Sequence, residues 1–594
     1  MSYRRKKLLA LFFAMALSMT AVAGCTGAKS STGNVVSLET ETNAEETSAQ
    51  SEAGTFSSAD MFTERDLAGT YEESGAVYVT LSDDGIAGET DGVVIDGQMV
   101  TITAEGTYIF SRTLSEGQIV VDADNAKVQI VFDNVDITCA SSAAVYVKSA
   151  EKVFVTLAEG SQNTLRNTDE YVAIDDNNID AVIFAKSDLT LNGTGSLTII
   201  SAEGHGIVSK DDLKIIGGTY DITAAGHALS GKDSVRIADG TFILTAEKDG
   251  IHAENADDEE KGYIYIADGD FTITSDGDGM DASNIVQIED GTLDITAGGG
   301  AANSLKTHES DVPGGPGGGM PQNGEKLDGE SMPQMGEKPD GENMPQDTTT
   351  DESGTSTKGI KAGGGMYLNG GTYQIDSADD SIHSNANITI ADGTYTLATG
   401  DDGVHADDAL IVNGGTITVT ESYEGLEGLA VTINDGTIDI TASDDGINTA
   451  GEKMELNGGY IHILAGGDGV DSNGDLTING GEIYIDGPSD NGNSAIDYGD
   501  RSSAYVNGGM LVAIGSSGMA EGMSDSSKQE VLMVKLGEQM EAGDVELTDN
   551  EGNVIVSYTA LKSYDCVIIS TAEVESGATY TLTTSGTTTE VTAE

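Results

Sequence analysis

The sequence predicts an all-β chain, a right-handed parallel β-helix of about 22 residues per coil. Three observations carry that reading: a strand-turn-strand unit recurs at nearly constant spacing, a Gly closes each turn, and helix-length apolar periodicity is missing. Leu410 to Thr420 and Val431 to Thr441 show the unit, with alternating Val, Ile, Leu and Thr on either side of Asn-Gly-Gly or Asn-Asp-Gly. The closing glycines are Gly195, Gly218, Gly240, Gly269, Gly291, Gly371, Gly393, Gly415, Gly436, Gly459, Gly481 and Gly509. The usual step is 21 to 23 residues, two steps lengthen to 29 and 28, and the step from Gly291 to Gly371 holds an insertion. A β-propeller blade needs about 40 residues and four strands, so the step disfavours that fold. A coil turns alternate side chains into a narrow core and bonds its backbone to coils about 4.8 Å away. Right-handed winding is the default for such crossovers.

Composition agrees with thin repeated layers. Aromatic residues make up 5%, Trp is absent and Gly numbers 78, which argues against one large aromatic-anchored core. The 100 acidic residues against 28 basic ones give a net charge of -72, which excludes a nucleic-acid binder. An acidic polymer could be held only through bridging cations.

Taken in order, Arg4, Arg5, Lys6 and Lys7 precede an apolar run from Leu8 to Ala23, short for a membrane span, and Val22-Ala-Gly-Cys25 closes residues 1–24. This resembles a bacterial lipoprotein signal. The resemblance implies lipidation at Cys25 and residence on the extracellular face of a bacterial membrane, with the lipid as the only membrane contact. Residues 25–58 are rich in Ser, Thr, Glu and Ala and read as a disordered tether. Residues 59–188, with strands such as Val128 to Phe132 and Val153 to Leu157, read as irregular first coils. Residues 189–518 carry the regular repeats. Within them 307–357 holds six of the seven prolines and a repeated Met-Pro-Gln at Met320, Met332 and Met344, and reads as a disordered spacer. Residues 519–594 read as a small β-sandwich-like cap over an edge that would otherwise invite pairing. Cys139 and Cys566 are expected to be free and buried, and the protein monomeric.

Two columns of the repeat carry chemistry. The residue before a Gly in one turn runs His205, His227, Asp249, Asp278, Asp380, Asp402, Glu424, Asp445, Asp468 and Asp490. Three residues on, a second column runs Ser230, His252, Asp281, His383, His405, Glu427, Asn448, Asp471 and Asn493. Carboxylates stacked about 4.8 Å apart repel by roughly 3 to 4 kcal/mol per pair at an effective dielectric of 20. With Lys scarce beside the columns, protonation of alternate carboxylates or bound divalent cations must relieve them. Several calcium ions are expected, on the column aspartates and on Asp276, Asp379, Asp401, Asp407 and Asp444 beside them, because calcium takes six to eight oxygens in flexible geometry. The plainer alternative is a solvated Asx-turn at each corner. Zinc or copper on the histidines ranks behind calcium, since oxygen donors outnumber them.

The segments Ala104 to Ser111, Gly117 to Val121, Asn192 to Leu197, His205 to Asp212, Lys232 to Ile237, Lys248 to His252 and Lys358 to Ala362 resemble a family of bacterial surface proteins. That family is carbohydrate-binding, with a calcium-containing right-handed parallel β-helix similar to the pectate lyase fold. The resemblance covers roughly residues 90 to 515 and implies binding of acidic, pectin-like or cellulose-like polysaccharide. The Met-Pro insertion and the acidic tether depart from it. A calcium-dependent lyase is the alternative, with Lys210, Lys232 or Lys248 as base, although salt-bridging to neighbouring Asp suits those lysines better. No catalytic residue is assigned, and a protein-binding adhesin is the third reading.

Overall fold

The computed structural model describes residues 56–306 and 356–593, apart from positions 89, 173 and 500. The signal with Cys25, most of the tether and nearly all of the 307–357 insertion lie outside the described residues.

Forty-five strands join in one mostly parallel system, and the register follows the sequence repeat. Each regular coil holds three strands, as in Asp212–Ile215, Thr219–Ala224 and Leu229–Gly231. Their partners one coil on place Val235 beside Leu213, Phe242 beside Tyr220 and Ile251 beside Leu229. The architecture is therefore a β-solenoid. In Thr219–Ala224 the alternation is literal, with Tyr220, Ile222 and Ala224 inward and Thr219, Asp221 and Thr223 outward. The closing glycine has a physical reason: Gly459 sits at φ +83°, and a Cβ there would lie 2.7 Å from the Gly436 carbonyl oxygen of the previous coil. Few aromatics suffice for the core because equivalent positions stack. Tyr220, Phe242 and Phe271 form one column with ring centroids 5.3 and 4.6 Å apart, and Tyr373 lies over Tyr395 at 4.5 Å.

The insertion leaves the register intact, since Met280 pairs with Ile360, Val286 with Met366 and Leu293 with Tyr373. At the C-terminal end Met510–Gly515 meets Tyr564–Ser570 in antiparallel pairing, and Leu532–Met540 adds to the latter. A separate four-stranded antiparallel sheet, containing Gly543–Thr548 and Val554–Ala560, packs Val545, Leu547 and Leu582 with Val512 and Ile514.

The N-terminal edge corrects two expectations. Residues 56–58, assigned to the tether, are docked: Phe56 lies 4.3 Å from the Tyr263 ring and its N–H donates to Gln287 Oε1 at 2.6 Å. Two short helical turns, Ser58–Met61 and Glu64–Leu67, also precede the strands, the second closed by a capping box between Thr63 and Asp66. Cys139 and Cys566 are free and buried, and burial pushes both thiols up to about 11.

Candidate functional site

The strand register places Val120, Tyr146, Phe184, Val208, Ser230, His252, Asp281, Lys361, His383, His405, Glu427, Asn448, Asp471 and Asp497 in one file along the solenoid. Three residues earlier, in the turn, a second file contains His205, His227, Asp249, Asp278, Lys358, Asp380, Asp402, Glu424, Asp445, Asp468 and Ser494. Members of this turn file cap the coil that follows. The backbone N–H of His227 donates to His205 Nδ1 at 2.8 Å, Asp278 to Asp249 Oδ1 at 2.9 Å, Lys358 to Asp278 Oδ1 at 2.7 Å, Glu424 to Asp402 Oδ1 at 3.2 Å and Asp468 to Asp445 Oδ1 at 2.6 Å. Lys358 offers no acceptor, and Asp380 N–H turns to its neighbour Asp379 Oδ1 at 3.0 Å instead. An acceptor at this position thus has a structural use, whichever residue supplies it.

Along their length the two files change character. In the first coils Val120, Tyr146, Phe184 and Val208 are buried in an apolar cluster with Ile179 and Tyr171. The middle stretch is neutralised by side chains. Lys358 Nζ lies 2.7 Å from Asp380 and 2.8 Å from Asp379; Lys306 Nζ lies 3.1 Å from Asp379 and 2.8 Å from Asp401. Lys361 Nζ is 3.4 Å from both Asp278 and Asp281. The expectation that Lys is scarce beside the ladder is therefore corrected. Histidines add to this: Asp249 lies between His227 and His252, while His405 Nδ1 stands 3.1 Å from both Asp402 and Glu427.

The electrostatics follow these partners. Burial disfavours the charged form of Asp380, but Lys358 and His383 outweigh it and hold the carboxyl well below the usual range. Burial likewise opposes charge on His405, yet Asp402, Asp407 and other acids lift it to about 12. His205, buried and beside His227, is pushed down to about 3, which suits its role as an acceptor. Asp401 is raised to about 9 by burial and by Asp402 and Asp380. Burial lifts Asp278 to about 6.

From Glu424 to Asp471 the two files hold only acids and an amide. Carboxylate oxygens of Asp445, Asp468 and Asp471 lie within 4.8 Å of one another. Burial, then neighbouring carboxylates, push Asp445 to about 8 and Asp471 to about 6. Asp468 reaches about 7, burial outweighing its bond to Ser494 N–H. Burial and Asp402 raise Glu427 to about 8, with His405 opposing. Asn448 Nδ2 donates to Glu424 at 2.9 Å, and its Oδ1 is buried without a partner.

Flanking residues sort differently from the sequence expectation. Asp379 and Asp401 join the lysine cluster, Asp444 is half-buried beside Asp445, and Asp407 is exposed 3.5 Å from His405 Nε2. Asp276 is exposed and lines a cavity of about 440 Å³ with Glu247, Lys306 and Asp379. Lys210 pairs with Glu254 at 3.5 Å, and Lys232 and Lys248 are exposed. Ser494 and Asp497 end the two files in place of Asp490 and Asn493, because the last step of each file, from Asp468 and from Asp471, is 26 residues. The two sequence columns pass over Lys358 and Lys361 because the insertion interrupts the step, although Lys358-Gly-Ile-Lys361 repeats the spacing of Asp249-Gly-Ile-His252. Lys306 arrives from the flank of the insertion, for which no repeat signal exists.

Residues 96–403 and 401–591 match a family model described as carbohydrate-binding domain-containing protein. The chain belongs to that family. A relative of the same description from Acetivibrio thermocellus is 40% identical over 139 residues, 23% of this chain and 49% of the relative, so the match spans about half of that protein. A solved structure of the polysaccharide lyase-like protein from C. thermocellum, a gadolinium derivative, is 36% identical; the match covers 38% of this chain and 92% of that one, with a TM-score of 0.37.

Proposed function

We propose that this family member binds acidic polysaccharide, of the pectin or polygalacturonate type, through calcium ions on the acid-only stretch of its ladder, and does so without cleaving the chain. Lipidation at Cys25 would hold it, as a monomer, on the extracellular face of a bacterial membrane. One observation carries the reading: Asp445, Asp468 and Asp471 converge where the surrounding charges are carboxylates, and the Asn448 Oδ1 beside them is buried with no donor. An oxygen-only donor set of this kind fits calcium, which when bound supplies positive charge able to bridge protein carboxylates to uronates. The middle of the ladder fits calcium less well, because lysines and histidines already meet its carboxylates.

A lyase would need a base next to the metal-bound uronate. Lys210, Lys232 and Lys248 stand on coils before the insertion, whereas the acid-only stretch begins at Glu424. Lys306, Lys358 and Lys361 are engaged by carboxylates. This separation favours a binder.

Co-sedimentation of the purified chain with polygalacturonate, in calcium and in chelator, with polymer length followed throughout, tests the proposal. Retention that needs calcium, fails in the Asp445→Asn, Asp468→Asn, Asp471→Asn triple variant and leaves length unchanged is the expected result. Shortened polymer would make the protein a lyase, and no retention in either buffer would favour a protein partner.

A further inference from the structure

Where the ladder is still rich in histidine, one cluster differs from the rest. Asp249 Oδ2 lies 3.0 Å from His227 Nδ1 and 3.1 Å from His252 Nδ1, and Asp281 Oδ2 lies 3.5 Å from the same His252 atom. The His252 contacts lack the alignment of hydrogen bonds, for its Nδ1 is buried with no hydrogen-bond partner. The ligand atoms of His227, Asp249 and His252 lie within 4.8 Å of one another, and the two imidazoles stack at 4.3 Å and 9°, so shared ligation would turn one ring out of that stack. Around a tetrahedral ion with nitrogen and oxygen donors at about 2.0 to 2.2 Å, neighbouring donors stand roughly 3.3 to 3.6 Å apart, close to the spacing seen here.

The rest of the neighbourhood supports a ligand set. Asp249 Oδ1 accepts the Asp278 N–H at 2.9 Å, which orients the carboxylate and leaves Oδ2 for the cluster. His227 Nδ1 also accepts the Asp249 N–H at 3.2 Å, a contact that ligation would replace. The comparable group at Asp380, His383 and His405 already has its cation, since Lys358 Nζ sits 2.7 Å from Asp380 Oδ2. At Asp402, His405 Nδ1 is hydrogen-bonded at 3.1 Å.

We propose that His227, Asp249 and His252 form a binding site for a borderline divalent transition-metal ion such as Zn²⁺, tying two consecutive coils together, with Asp281 beside His252 on the next coil. Two imidazoles with one carboxylate select such an ion over calcium, which takes oxygen donors. The inference is independent of the calcium reading.

Equilibrium dialysis of the full chain against Zn²⁺ in excess calcium, with the retained metal measured, tests it. A single Zn²⁺ should stay with the wild type and be lost from His252→Ala and Asp249→Asn, while His405→Ala keeps it. Co²⁺ in place of zinc should give visible bands that vanish in the same two variants. Far-UV circular dichroism establishes that each variant is folded, and His252→Gln, closer in volume, serves if His252→Ala is not. Zinc retained unchanged by folded His252→Ala or His252→Gln, or no zinc on the wild type, overturns the proposal; His252 would then be only an ion-pair partner of Asp249 and Asp281. Calcium-dependent retention of polygalacturonate should be untouched in these variants, so the two readings fail separately.

Discussion

Asp66 lies fully buried where the second helical turn meets the solenoid wall, with Lys152 Nζ 2.6 Å away and the Thr190 hydroxyl donating at 2.8 Å. Burial opposes its charge, but Lys152 and the bonds from Thr63 and Thr190 prevail and hold the carboxyl down at about 2. A folded value below the ordinary 3.8 means that its contribution to stability is in place above that pH and is lost as pH falls towards about 2. Thermal midpoints across that window should fall less steeply in Asp66→Asn. Asp66→Ala leaves the Lys152 ammonium buried without this partner and should cost about 3 to 5 kcal/mol in denaturant unfolding. Residue by residue, the sequence revealed the ladder where its step was regular, as at Asp402, His405 and Glu427. It concealed the charges that balance the ladder, because Lys358 follows an insertion and Lys306 belongs to no repeat. A period reports which residues are equivalent, but neutralisation depends on which side chains reach across coils, and reach leaves no period.

Among the elements, the junction of the last coils with the four-stranded sheet has its own chemistry. Tyr558 of Val554–Ala560 donates to buried Asp486, its ring stacks 5.1 Å from Tyr484, and His462 Nε2 lies 3.3 Å from the Tyr558 hydroxyl. The Asp486 carboxylate, then Asp439, raise the His462 pKa above its ordinary 6.5 against the effect of burial. A raised histidine stabilises fully below its unfolded value and loses that contribution as pH rises through the folded one. Amide exchange in Val554–Ala560 should therefore quicken as pH climbs above about 6.5, after correction for the intrinsic rate, and His462→Asn should remove most of that dependence. This latch was invisible in sequence, since His462 falls outside both ladder columns and Tyr558 comes from the cap. The parallel strands themselves were legible, as Thr219–Ala224 and its successors alternate without interruption. The short turn at Glu64–Leu67 was not, being too brief for apolar periodicity, although Thr63 and Asp66 carry the capping-box spacing.

For the molecule as a whole, the ladder sets a conflict between charge and fold. Without a cation the acid-only stretch opposes folding, and each neighbouring carboxylate pair can cost up to roughly 3 to 4 kcal/mol at an effective dielectric of 20. The Asp445→Asn, Asp468→Asn, Asp471→Asn variant should therefore melt several degrees above wild type in chelator and below it in calcium, as read by calorimetry. The register also has an arithmetic consequence. Ile360 pairs with Ile382 and Ile382 with Val404, so excising residues 382–403 would seat Val404 where Ile382 stood and leave its strand in step. The chain then keeps its frame and loses one rung, so that the length of the ladder is counted in whole coils, as graduations on a ruler are counted in whole marks.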